Sequence, residues 1–403
     1  MAALGLKHAE KGVRPAILSR ARQPPGAHMS KRPWSSGHPS ALPPAKRRQQ
    51  QQHLYVLLDD WERGCSIYRF GEDDLDADAD DDADEGCLDG TPPIARLEAR
   101  HPLPWAFAAH GTKILAVRAA EGSPAIPGFD TRTMAVVACP LPEANRGMTC
   151  KPFYASAAGD RLFVMAYRYI EELGPQPPPD DDRPPPAWSW SGIDDAAPPF
   201  CPKYVTCQAR HPDGRTVFAS VMGWRPGGAQ IRQRSTYSFD ADRRGFRYHG
   251  EWLLPFRGEA HYDGQLDAWV GLADEAPGHV ASCDVPSRRA EPAGEASEGP
   301  DWKLGEERLF DFDFESTGHL GATLVYMGGG SRYCLIECCA LRGDDDGDDP
   351  RCRRRVVQMT TFALKYGKKG ELRIVGRGGR ASMAYTVAHD MNPPTLSPTA
   401  FWM

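Results

Sequence analysis

Four histidines lie close to glycine turns, and histidines at equivalent positions of a repeated fold could together bind a metal ion. They are His110, His211, His261 and His319. His110 directly precedes Gly111, whereas His211 and His261 precede their glycines by three residues. Residues with different offsets do not fall in one layer of a repeated fold. We therefore interpret all four as structural turn residues and expect no metal site.

The eleven cysteines do not form a recognisable metal or disulfide pattern. No two are spaced as C-x-x-C, and Cys334, Cys338 and Cys339 lie in an apolar segment without further Cys or His at close spacing. Cysteine is among the residues most often buried, so we expect buried strand thiols here. No apolar secretory segment opens the chain, and free thiols in a reducing compartment are the simplest interpretation.

Other residues that could do chemistry lack the context that their chemistry needs. The acidic run that starts at Asp73 has neither the central glycine nor the final glutamate of an EF-hand loop. Gly376-Arg-Gly-Gly-Arg follows a strand pattern but no P-loop Lys-Ser/Thr comes after it. Phe310-Asp-Phe-Asp-Phe-Glu alternates like a half-buried strand. We expect no catalytic residue and no cofactor.

Two basic clusters near the N-terminus have the layout of a bipartite nuclear localisation signal. They are Lys31 with Arg32, and Lys46 with Arg47 and Arg48, separated by a Pro/Ser-rich spacer. A solvated basic tail explains them equally well. Translation from Met29 instead of Met1 would keep both clusters.

The elements that would position any site come from a repeated signature, in which a turn glycine precedes an apolar, β-prone run about every fifty residues. The six glycines are Gly64, Gly111, Gly159, Gly214, Gly264 and Gly330. A second recurring mark is a strand that ends in Asp: Asp130, Asp240 and Asp284. About four short strands per repeat predict an all-β fold. A repeat of this length favours a six-bladed kelch-like β-propeller over a sandwich.

Composition divides the chain into residues 1–52, a disordered basic tail, and residues 53–403, the propeller domain. Residues 1–52 contain ten Lys and Arg and one acid, which is a net charge of +9. Because the whole chain has a net charge of −6, residues 53–403 carry −15. An acidic body disfavours nucleic-acid binding, and no apolar run is long enough for a membrane span. Four Pro-, Asp- or Gly/Glu-rich inserts should be mobile loops: 72–90, 174–187, 287–301 and 343–350.

Several segments resemble a plant family of uncharacterised proteins that is expanded in grasses. They are Leu54–Trp61, Phe107–Leu115, His211–Thr216, Glu251–Leu272, His319–Gly328 and Ala400–Met403, which together sample residues 53–403. The resemblance implies a kelch-like or F-box-associated propeller and implies no activity, cofactor or catalytic residue. Residues 1–52 contain too few apolar side chains for a preceding F-box helical module.

We expect a non-enzymatic protein-interaction module that presents loops of a rigid scaffold to a protein partner. We expect it to be a monomer and to be present in nucleus and cytoplasm. One alternative is an enzyme with its site in the central pocket, for which carbohydrate is a candidate substrate class. Another is a ubiquitin-ligase adaptor without a recognisable F-box.

Overall fold

Short antiparallel strands make up almost all of the regular structure. The computed structural model describes residues 51–75, 87–99, 107–117, 123–143, 152–157, 160–166, 169–174, 188–193, 197–224, 232–287, 299–312, 318–341, 354–388 and 398–403. These belong to one unit, Gln51–Met403. Its described residues form 25 strands, a four-residue helix α1 (Glu72–Leu75) and a 3-10 turn (Pro202–Tyr204). The all-β class predicted from the sequence is confirmed.

The strands fall into six consecutive groups, each an antiparallel meander with four strand positions, and two strands share the fourth position of group 6. Group 1 takes its first strand from the C-terminal end of the chain and has the order β25-β1-β2-β3. Its strands are β1 (Leu54–Trp61), β2 (Gly64–Phe70), β3 (Ala95–Glu98) and β25 (Thr399–Trp402). Group 2 contains β4 (Phe107–His110), β5 (Lys113–Ala116), β6 (Ala125–Asp130) and β7 (Ala135–Pro140). Group 3 contains β8 (Phe153–Ala157), β9 (Arg161–Met165), β10 (Ile170–Leu173) and β11 (Trp190–Gly192).

The other three groups are joined into one 13-stranded sheet by parallel pairing of β12 with β16 and of β19 with β23. Group 4 contains β12 (Val205–Arg210), β13 (Thr216–Trp224), β14 (Arg232–Asp240) and β15 (Gly245–Gly250). Group 5 contains β16 (Phe256–Asp263), β17 (Ala268–Ala273), β18 (His279–Asp284) and β19 (Trp302–Arg308). Group 6 contains β20 (His319–Gly328), β21 (Arg332–Ala340), β22 (Arg354–Tyr366), β23 (Leu372–Val375) and β24 (Arg380–Thr386).

The fourth position of group 6 is shared by two strands. Both β23 and β24 pair with the 13-residue β22, one along each half of it. The glycine-rich segment 376–379 connects them, and the Gly378 amide still donates to the carbonyl of Thr361. This segment is therefore an irregularity within a strand.

Apolar residues between the groups form six clusters, and each cluster joins two groups that are consecutive in number or joins group 6 to group 1. Strands alternate their side chains between two faces, so each group can pack against one neighbour on either side. The cluster around Leu54, Val56, Ile336 and Val357 joins groups 6 and 1. The other five join groups 1 and 2, 2 and 3, 3 and 4, 4 and 5, and 5 and 6. The core is thus divided among the contacts between groups.

Among the described residues, the glycine signature marks equivalent hairpins in groups 2, 4, 5 and 6 but not in group 1, and Gly159 lies outside the described residues. Gly111, Gly214 and Gly330 lie in the turn between the first and second strands, with φ of 58°, 74° and 82°. Side chains other than glycine rarely adopt this left-handed region. Gly64 instead lies in the β1–β2 hairpin. Because β25 takes first place in group 1, that hairpin joins the second and third strands, so Gly64 is not an equivalent repeat position.

Two of the three predicted Asp turns are confirmed. Asp130 Oδ1 accepts the amide of Arg132 at 3.0 Å, and Asp240 Oδ1 accepts the amide of Asp242 at 3.0 Å. The expected strand in Phe310-Asp-Phe-Asp-Phe-Glu is wrong. Strand β19 ends at Arg308, and the described part of this segment is irregular. No helix among the described residues is both long and apolar enough to cross a membrane.

Candidate functional site: a central cavity and a buried histidine cluster

The first strands of all six groups line one central cavity, which consists of two adjoining chambers of about 340 and 500 Å³. The chambers share lining residues from five of these strands: Phe107, Gln208, Gly258, Glu259, Thr323, Ala400 and Phe401. The sixth strand, β8, contributes Phe153 to the larger chamber and Tyr154 to the smaller. Because each wall is a paired strand, the lining residues are fixed by the backbone ladders of six groups.

The larger chamber lies at the end of the cavity where the first strands begin, and this end is here called the mouth. Its rim combines apolar and charged side chains: Phe107 and Phe153 beside exposed Lys203 and Glu259. The Lys203 ammonium lies 4.7 Å from the centre of the Tyr204 ring. Such a mixture of aromatic rings and a few polar groups is typical of pockets that bind a ligand or an inserted side chain.

A buried ion pair borders the mouth between groups 6 and 1. Arg355 Nη1 of β22 lies 3.4 Å from Asp59 Oδ2 of β1, and the two side chains are 4% and 7% exposed. Tyr385 and Cys338 complete this cluster, with 3.6 Å between the Cys338 sulfur and the Tyr385 hydroxyl. Burial raises the pKa of Cys338 to about 11 and raises the pKa of Tyr385 well above its usual range. At neutral pH the thiol is therefore protonated and is not an activated nucleophile.

The histidine on the cavity wall has a structural partner. His261 Nε2 of β16 lies 3.0 Å from the carbonyl oxygen of Leu324 in β20, so a donated hydrogen bond ties group 5 to group 6. The two carboxylates among the described lining residues also differ in role, because Asp59 is paired with Arg355 whereas Glu259 is exposed. Within the described lining we find no pair of carboxylates and no nucleophile–base pair in hydrogen-bonding distance.

Two of the other predicted turn histidines also contact neighbouring backbone. His110 Nε2 donates to the carbonyl of Gly174 at 3.1 Å and stacks on Trp188, which links groups 2 and 3. Burial lowers the pKa of His110. His211 Nδ1 accepts the amide of Asp213 at 3.1 Å within its own turn. Both contacts are structural, and neither residue lines the central cavity.

The fourth histidine belongs to a buried cluster that the sequence did not reveal. His319 Nδ1 lies 2.9 Å from Glu337 Oε1, and the Cys339 sulfur lies 3.5 Å from the same oxygen. One ligating atom from each residue lies within 4.8 Å of the others. Burial, followed by the charge of Glu337, raises the pKa of the Cys339 thiol to about 12. These three residues, here called the trio, have the atom types of a metal site.

We missed the trio because we required metal ligands at close spacing in the sequence. The signal that would have found it is the hairpin β20–β21, whose turn is centred near Gly329. Residues equally distant from a hairpin turn face each other, and the register indeed pairs His319 with Cys339. Glu337, two residues before Cys339, lies on the same face of the strand.

Other sequence predictions concern residues in the core or outside the described ranges. Cys334, Cys338 and Cys339 are buried, as expected. Trp269 fills the contact between groups 4 and 5, since its ring packs on Phe218 and its Nε1 donates to the carbonyl of Arg210 at 2.8 Å. The residues of the localisation signal, Lys31, Arg32, Lys46, Arg47 and Arg48, lie outside the described residues.

Comparison with protein families yields one match across most of the chain. The model of the family described as "Protein of unknown function (DUF1668)" matches residues 51–381. This agrees with the resemblance to an uncharacterised family, while plant origin and a kelch-like repeat stay predictions. None of the curated proteins matches the sequence.

Three solved structures show distant similarity to this chain. A proposed 6-phosphogluconolactonase of Bacteroides uniformis shares 13% identity and a TM-score of 0.40, over 82% of this chain and 83% of that chain. Hydrazine synthase of Kuenenia stuttgartiensis shares 10% identity and a TM-score of 0.31, over 68% of this chain and 65% of that chain. The Pan2 WD40 domain of Neurospora crassa shares 9% identity and a TM-score of 0.29, over 57% of this chain and 60% of that chain. Scores below 0.5 carry no inference about this chain.

Proposed function

The chain belongs to the DUF1668 family, a description that assigns no activity, and we propose from its geometry that it is a non-enzymatic protein-interaction module. In this proposal the mouth of the central cavity receives a segment of a protein partner. The observation that carries it is that the first strands of all six groups converge on one open cavity.

The proposed scaffold is a six-bladed propeller of kelch-like size, with each group as one blade. Support comes from the six apolar clusters, one for every pair of neighbouring groups including the pair formed by groups 6 and 1. Pairing of β25 with β1 further supports closure of the ring. A closed propeller leaves only short strand edges exposed, so its core tolerates variation in the connecting loops.

The chemistry of the mouth supports a protein partner better than catalysis. A chamber of about 500 Å³ is large enough to enclose one or two side chains of a docked loop. Aromatic rings such as Phe153 supply contact area, while Lys203 and Glu259 at the rim offer opposite charges for orientation. The groups that an enzyme would use, Asp59 and His261, are engaged in an ion pair and a backbone hydrogen bond.

Reversal of the rim charges tests the interaction. Full-length protein carrying Lys203→Glu or Glu259→Lys is compared with wild type in pull-down and proximity labelling. Matched controls reverse exposed charges of other strands, Lys365→Glu in β22 and Glu307→Lys in β19, which do not line the cavity. We expect the rim variants to lose the partners that wild type and controls recover. A partner set that is the same for all five proteins, or no reproducible partner for wild type, would refute the proposal.

We further propose residence in nucleus and cytoplasm as a monomer, without nucleic acid or membrane as a partner. The two basic clusters, Lys31-Arg32 and Lys46-Arg47-Arg48, support nuclear import, and the net charge of −15 on the rest of the chain disfavours phosphate binding. Replacement of Lys46, Arg47 and Arg48 by alanine should shift a fluorescently tagged protein to the cytoplasm. An unchanged distribution would remove the signal from the proposal.

A further inference from the structure

One face of the hairpin β20–β21 brings together a nitrogen, an oxygen and a sulfur ligand from different positions of the chain. His319 opens β20 and pairs with Cys339 near the end of β21, and Glu337 lies on the same face two residues earlier. The three residues are 5%, 9% and 9% exposed. Their ligating atoms all lie within 4.8 Å of one another. The backbone ladder of the hairpin therefore fixes three potential ligands around one point.

Two of the three separations between these atoms are close to those of a tetrahedral zinc site, and the third is within 4.8 Å. Zinc bonds of about 2.3 Å to sulfur and about 2.0–2.2 Å to nitrogen and oxygen place ligand atoms roughly 3.3–3.6 Å apart. The distance from the Cys339 sulfur to Glu337 Oε1 is 3.5 Å. The distance from His319 Nδ1 to the same oxygen is 2.9 Å, so that the imidazole needs to move by roughly half an ångström.

Charge and donor chemistry favour zinc over calcium and magnesium. A thiolate, a carboxylate and a neutral imidazole bring two negative charges, which Zn²⁺ neutralises, so the occupied site adds no net charge to a buried place. Calcium and magnesium prefer all-oxygen ligands, whereas zinc accepts sulfur, nitrogen and oxygen together. The Cys339 thiol would release its proton to solvent on binding.

The surroundings hold the imidazole in place for this role. The ring of Phe310 stacks on His319 with 4.7 Å between the ring centres and an interplanar angle of 7°. Phe312, which is 48% exposed, contacts the same imidazole at 5.2 Å. Apolar rings around a metal site exclude water and restrict the orientation of its ligands.

From this geometry we propose that His319, Glu337 and Cys339 bind one zinc ion. The ion ties the beginning of β20 to the end of β21 and leaves a fourth tetrahedral position for water or another ligand. The site faces the contact between groups 5 and 6 and is separate from the proposed protein-docking mouth, so either proposal can fail without the other.

The first test is the zinc content of the full-length chain, purified without a histidine tag, loaded with zinc and passed through gel filtration. Mass spectrometry of the metal should find about one zinc per wild-type chain. His319→Gln and Cys339→Ser should each weaken zinc binding about tenfold or more. The matched control is Cys338→Ser, because Cys338 is also buried but lies on the opposite face of β21. It should keep the zinc.

A second measurement needs no variant and so remains decisive if a substitution prevents folding. Cobalt titrated into wild-type protein should give the intense near-ultraviolet band of a thiolate–cobalt bond together with visible bands of tetrahedral cobalt, and added zinc should remove both. Wild-type protein that binds no zinc and gives no thiolate–cobalt band would overturn the proposal. So would zinc binding that Cys338→Ser weakens as much as Cys339→Ser does.

Discussion

Substitution of Tyr333 by phenylalanine should destabilise the protein by roughly 1.5–3 kcal/mol, because it removes a buried hydrogen bond to a carboxylate. The acceptor is Asp263, a fully buried residue at the end of β16 in group 5, whereas Tyr333 lies in β21 of group 6. The Tyr333 hydroxyl donates to Asp263 Oδ2 at 2.9 Å, and the Ser331 hydroxyl donates to Oδ1 at 2.9 Å. This network joins two neighbouring groups.

The assay is equilibrium unfolding in urea, with the loss read from the shift of the midpoint at unchanged slope. Ser331→Ala and the double variant complete a cycle, in which the two hydroxyls should show non-additive losses because they share one carboxylate. Tyr326→Phe is the matched control, since its ring lies 5.1 Å from that of Tyr333 and is only half-buried. A loss for Tyr333→Phe that is below 0.5 kcal/mol, or equal to that of Tyr326→Phe, would refute the reasoning.

The same residue has a second signature at alkaline pH. Burial, followed by the charge of Asp263 and its hydrogen bond, raises the pKa of Tyr333 well above its usual range. The hydroxyl loses its proton near pH 10 in the unfolded chain but keeps it in the folded one. The contribution of this hydroxyl to the free energy of unfolding is therefore complete below about pH 10. Above that pH it is lost at ~1.4 kcal/mol per pH unit. Tyr333→Phe should flatten the alkaline decline in stability, and an unchanged decline would contradict this.

Three further predictions concern other contacts within and between the groups. Burial, followed by the charge of Arg247, lowers the pKa of His249 to about 4. Its stabilising effect is complete above the unfolded value of about 6.5 and is lost as pH falls towards 4, so His249→Gln should reduce the acid loss of stability measured by urea unfolding. Trp269→Phe should lower the free energy of unfolding by about 1–3 kcal/mol because it removes the hydrogen bond to the Arg210 carbonyl, and Trp269→Ala should lower it by about 3–5 kcal/mol. Thermal midpoints equal to that of wild type would contradict this. Arg355→Met should lower the free energy of unfolding by about 3–5 kcal/mol, because it leaves Asp59 buried and unpaired. Addition of Asp59→Leu should recover most of this loss. A double variant less stable than the single one would refute the pairing.

The sequence predicted the elements well because their signals are local. Turn glycines such as Gly214 and turn aspartates such as Asp130 act within a few residues of their own backbone, so they can be read without knowledge of the fold. Apolar runs between them, such as Ala268–Ala273, form strands that are buried along their whole length. The all-β class followed from these local features.

The misplaced and missed features depend on pairing between distant residues. Gly64 has the local signature, but its place in group 1 is set by β25, which pairs with β1 across more than 300 positions of the chain. The segment after Arg308 alternates like a strand, yet Phe310 stacks on His319 of the next group instead. The trio became visible only with the register of β20 against β21. Such contacts leave no periodic trace in a single sequence.

The most direct test of the account is whether a disulfide forms between β1 and β25, the pairing that would close the proposed ring of groups. Val56 of β1 lies opposite Ala400 of β25, and residues directly opposed in an antiparallel pair have Cα atoms about 4.5–5.5 Å apart, within the range of a disulfide. We predict that Val56→Cys/Ala400→Cys forms this bond on mild oxidation, detected by peptide mapping, whereas Val56→Cys/Phe401→Cys does not, because residue 401 faces the other side of the strand. Absence of the bond in the first protein, or its equal formation in both, would contradict closure by β25.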